Sequence, residues 1–323
     1  MTSAQVVAET AVLVEAYSQA SDQLKAQAAA AAEAAWLSFE GWYNAALVAA
    51  LAAETAAQSQ AVQQAAAGLA AQFTENVTAA MSGGVRIPPV RRNALQQVIR
   101  DARNLGLVYT RPAERYKKAI ATGKTHQEAL KLAGLRAQGL TVTDLLLQEV
   151  RVQNAVMREV GVTGYRRVLR PELSKTGSCG LCIVAADRIY STGDLMPIHP
   201  PSCKCIAMPI IGDEDPGFSM NREDLDRLYA EAGSNKAADL RRTRYTVQQH
   251  GEHGPVLTFA GDSFRGPDKV ALEDDPERAA RMLAAVTPVL ADLEARGRAG
   301  EDVTGPLEYQ RELIARLRRI VGA

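Results

Sequence analysis

Apolar positions set the first division of the chain. Across residues 3–82, Val7, Leu13 or Val14, Tyr17 and Leu24, then Trp36, Phe39, Tyr43, Leu47 and Leu51, recur mostly at steps of three to four among alanines. That period lines the larger side chains along one helical face, and alanine is the strongest helix former. The stretch has no proline, and glycine only at 41 and 68 before the Gly83-Gly84 break. It predicts one long helix or a helical hairpin, its seam packed on other helices or on sister copies in a homo-oligomer.

Gly83-Gly84 and Pro88-Pro89 punctuate the chain. Beyond them, helices are expected over 91–105 and 112–122. Another starts at Thr125, where Thr125-His126-Gln127-Glu128 is a capping box. A similar signal at Thr141–Asp144 predicts a separate helix over 145–160. From Gly164 the helical period disappears, and Ile183–Ala186 and Ile206–Ile211 read as short strands between Gly- and Pro-rich turns. A helix to about residue 232 follows Asn221, then an extended, turn-rich piece over 241–262, and helices over 276–296 and 306–321. The fold class is mainly α. An Ala-rich helical arm (1–84) and a basic helical region (85–163) precede a small α+β cysteine-bearing module (164–262) and a C-terminal helical segment (263–323).

Charge changes this picture in one place. The 37 basic and 37 acidic residues balance, yet residues 1–84 carry −6, residues 85–178 carry +11 and the remainder −5. A basic middle segment is compatible with packaged DNA or an acidic partner, and equally with ordinary solvated helix faces. MTSAQVVAETAVLVEAYS lacks a basic start, so no secretory signal is expected. The strongest apolar run, 45–53, is about half the ~20 residues of a membrane helix, so no membrane is expected. No G-x-S-x-G, H-E-x-x-H, Walker or Rossmann pattern occurs.

The candidate chemistry is concentrated. All four cysteines, Cys179, Cys182, Cys203 and Cys205, fall within 27 residues, with His199 just ahead of the second pair. Cys-x2-Cys on a tight turn aims two thiolates at one ion. Cys203-Lys204-Cys205 on an extended strand puts two more on one side, because strand side chains alternate. The set suits a structural zinc with four sulfurs, or three sulfurs and His199. Two disulfides, plain structural thiols, or a Cys–His nucleophile using His199, His250 or His253 are the alternatives. His126, in the first turn of its helix, reads as solvent-exposed.

The run GYRRVLRPELSKTGSCGLCIVAADRIYSTGDLMPIHPPSCKCIAMPI resembles the cysteine-containing segment of actinophage minor capsid proteins, within the MuF-like head-morphogenesis group of tailed phages. Cys179, Cys182, His199, Cys203, Cys205 and Pro209 carry the pattern. TGKTHQEALKLAGLRAQGLTVTDLLLQ, DLDRLYAEAG and QQHGEHGPVL are similar to the same group, so the likeness covers roughly residues 110–255. It implies a virion protein present in few copies, assembled in the host cytoplasm beside the portal, the major capsid protein or the scaffold. Members are often labelled capsid maturation proteases. No residue here matches a nucleophile, so the catalytic residue stays unassigned. The expectation is a structural role, with a capsid-trimming protease or a DNA-contacting packaging factor as alternatives.

Overall fold

The computed structural model describes residues 2–83, 99–100, 107–173, 180–193, 204–222, 225–226, 245–250, 254–259 and 275–322. The expected class holds: the chain is mainly helical, with a small antiparallel sheet. The arm forms two helices, α1 (Ser3–Leu37) and α2 (Ala45–Met81). Phe39 and Tyr43, expected on the helical seam, instead lie in the connection between them. Asn44 starts α2, its Oδ1 accepting from Ala46 N at 3.0 Å and Leu47 N at 3.2 Å.

Helix α3 (Arg111–Ala121) and helix α4 (His126–Glu159) follow. The capping box ahead of α4 forms: Thr125 N donates to Glu128 Oε2 at 2.9 Å, and Glu128 N to Thr125 Oγ1 at 3.2 Å. The second boundary does not form. Thr141, Thr143 and Asp144 are buried inside continuous α4, where tertiary packing overrides a local capping signal. The helix expected over 91–105 lies outside the described residues apart from 99–100.

Strand β1 (Gly164–Val168) leads to helix α5 (Gly180–Ala186), then strands β2 (Ile189–Ser191) and β3 (Ile206–Ile210). Residues 183–186 are thus helical, correcting the expected strand. A four-residue apolar run carries no period that separates the two states. The sheet order is β2-β1-β3, antiparallel, with Tyr165 opposite both Tyr190 and Pro209. Proline is tolerated at 209 because β3 is an edge strand. Strands β4 (Tyr245–His250) and β5 (Gly254–Phe259) pair as a hairpin, and α6 (Pro276–Arg298) and α7 (Thr304–Val321) complete the chain.

Two compact units emerge, each assembled from separated stretches: 1–26, 61–99 and 143–264 in the first, 27–60, 100–142 and 265–323 in the second. The first has two apolar clusters. One joins Val14, Tyr17, Phe73 and Val77 to Val152, Ile206 and Met208, and the other joins Leu146, Val150 and Met157 to Tyr165 and Ala207. The second unit has an aromatic core around Trp36, Trp42, Tyr109 and Tyr116, and a helical one in which α6 and α7 meet Ala121. Among the described residues no helix is long and apolar enough to cross a membrane.

Candidate functional site in the cysteine-bearing module

Of the five candidate metal ligands, Cys182 and Cys205 lie among the described residues. Cys179, Cys203 and His199 lie outside them. Cys182 sits in α5, so its half of the Cys-x2-Cys motif is helical rather than a tight turn. Cys205 immediately precedes β3. Both are buried, and both belong to one apolar cluster with Leu146, Val150, Tyr165, Leu169 and Ala207. One cysteine from each pair is thereby brought into a single core, although 23 positions separate them. Among the described residues no group of three or more His, Cys, Asp or Glu side chains forms a metal cluster. Of the other histidines singled out, His250 ends β4, opposite Gly254, and His253 lies outside the described residues.

What positions this core is a set of arginines. Arg166 on β1 pairs with Asp215, Nη2 to Oδ2 at 2.7 Å and Nε to Oδ2 at 2.8 Å, and donates through Nη1 to Ala186 O at 3.2 Å. Its guanidinium also lies 5.1 Å from the Phe218 ring centroid. Arg167, fully buried, lies over Tyr190 at 5.6 Å. Arg170 reaches α1, donating to Val14 O at 3.0 Å and Ser18 Oγ at 2.6 Å and pairing with Glu15 and Glu172. These three belong to the basic 85–178 segment, yet they are buried clamps and add nothing to a DNA-facing surface.

Asn221 completes the frame. Its Oδ1 accepts from Leu169 N at 2.8 Å and its Nδ2 donates to Arg167 O at 2.6 Å, so one side chain reproduces a strand partner beyond β1. The helical turn bearing it lies close on the sheet because residue 217 is glycine: a Cβ there would sit 3.3 Å from both Met208 Cβ and Val168 Cγ2.

A polar seam runs beside Cys205. Ser21 Oγ donates to Glu149 Oε1 at 2.6 Å, and Lys25 Nζ donates to Ser21 Oγ at 2.7 Å while pairing with Glu149 Oε2 at 2.6 Å. Lys204 Nζ pairs with Asp22 at 2.9 Å. Burial, reinforced by the Glu149 charge, holds the Tyr17 phenol well above the ordinary tyrosine range. These groups line a cavity of about 20 Å3 together with Gln153 and Cys205. A serine beside a lysine is the arrangement of one hydrolase class. Here the ammonium is engaged by Glu149 rather than offered as a base. The cavity has room for about one water molecule and none for a peptide. The seam ties α1 to α4. It is invisible in the sequence because Ser21 and Glu149 are 128 positions apart.

The chain matches no protein-family model, no curated protein and no solved structure. Function therefore rests on the sequence likeness and on the geometry above.

Proposed function

We propose that the chain is a MuF-like minor capsid protein of a tailed phage. It acts structurally in procapsid assembly near the portal, with the cysteine module as a stapled docking unit. The observation that carries this reading is the convergence of Cys182 and Cys205 in one buried cluster within the segment that resembles that group. The staple is a structural zinc held by Cys179, Cys182, Cys203 and Cys205, with His199 as the alternative ligand. Such an ion stabilises a module whose sheet is too small to supply a core alone. The Ser21–Lys25–Glu149 ion pair and the small cavity favour structure over proteolysis in this unit.

Co-expression with the phage's capsid, scaffold and portal proteins tests the reading. Purified procapsids should carry the chain in few copies, with the capsid N-terminus untrimmed. Particles that assemble without incorporating it contradict the assignment. Capsid trimming that a folded Cys203→Ser variant abolishes establishes the protease instead.

A further inference from the structure

We draw no further inference here: the strongest candidate, the open cleft of about 660 Å3 in the second unit lined by Phe39, Glu40, Tyr43, Leu130 and Asp302, carries none, because Trp42 and Tyr116 on its wall are themselves buried and nothing among the described residues shows what covers it.

Discussion

The two units differ in what holds their buried polar groups, although the first also leaves Gln148 Oε1 and Gln153 Nε2 without partners. The first places Arg166, Arg170, Lys25 and Lys204 against Asp215, Glu15, Glu149 and Asp22, so its interior is cross-linked by charge. The second fills its core with Trp36, Trp42, Tyr109 and Tyr116 and leaves two indole nitrogens and the hydroxyls of Tyr43 and Thr141 without partners. Buried pairs add little net stability over apolar packing, but they punish any arrangement that separates them. The difference teaches that the first unit is specified by mutual dependence among distant segments, and the second by shape and area.

The sharpest way to break the comparison is to remove one member of a buried pair. Lys25→Met leaves Glu149 uncompensated and should cost about 3–5 kcal/mol in denaturant unfolding. The double variant Lys25→Met/Glu149→Met should recover most of that loss. A double variant as damaged as the single one would show that the pair is not the cause. Asn221→Leu should cost about 1–3 kcal/mol, because Leu169 N and Arg167 O lose their partner inside the first unit.

Alkaline titration separates the units by their phenols. A phenol whose pKa is raised in the fold is favoured there in its neutral form, so its contribution to stability is whole below the unfolded value of about 10 and is lost as pH climbs from there towards the folded value. Burial raises Tyr17 in the first unit and Tyr43 in the second. Melting temperature should therefore fall above about pH 10. Tyr17→Phe or Tyr43→Phe should each flatten the fall, and an unchanged slope in both would assign it elsewhere. The smallest effect at neutral pH belongs to Tyr43→Phe. It removes an unpartnered buried hydroxyl and should leave stability unchanged or raise it by up to about 1 kcal/mol. A marked loss would reveal a partner for that oxygen.

What is legible in the sequence is local. The Thr125–Glu128 box, the Pro276 start of α6 and the 206–210 strand each follow from neighbouring residues. Residues 183–186 mislead because four apolar residues in a row suit a strand or a helix turn. The continuity of α4 through Thr141 is hidden because its buried face is set by tertiary neighbours. The arginine clamps are hidden most deeply. Arg166, Arg167 and Arg170 look like solvated basic residues until Asp215 and Glu15, 49 and 155 positions away, are brought beside Arg166 and Arg170. The cysteine grouping is plain in the sequence; that Cys182 and Cys205 share one apolar core is not.

Whether that core is a metal staple decides the proposed role of the module, and native mass spectrometry with thiol counting tests it most directly. The folded chain should carry one zinc ion, with its cysteines protected from alkylation until the metal is chelated. Cys182→Ser should lose the ion and loosen the module. A folded, metal-free chain whose four thiols all alkylate would contradict it.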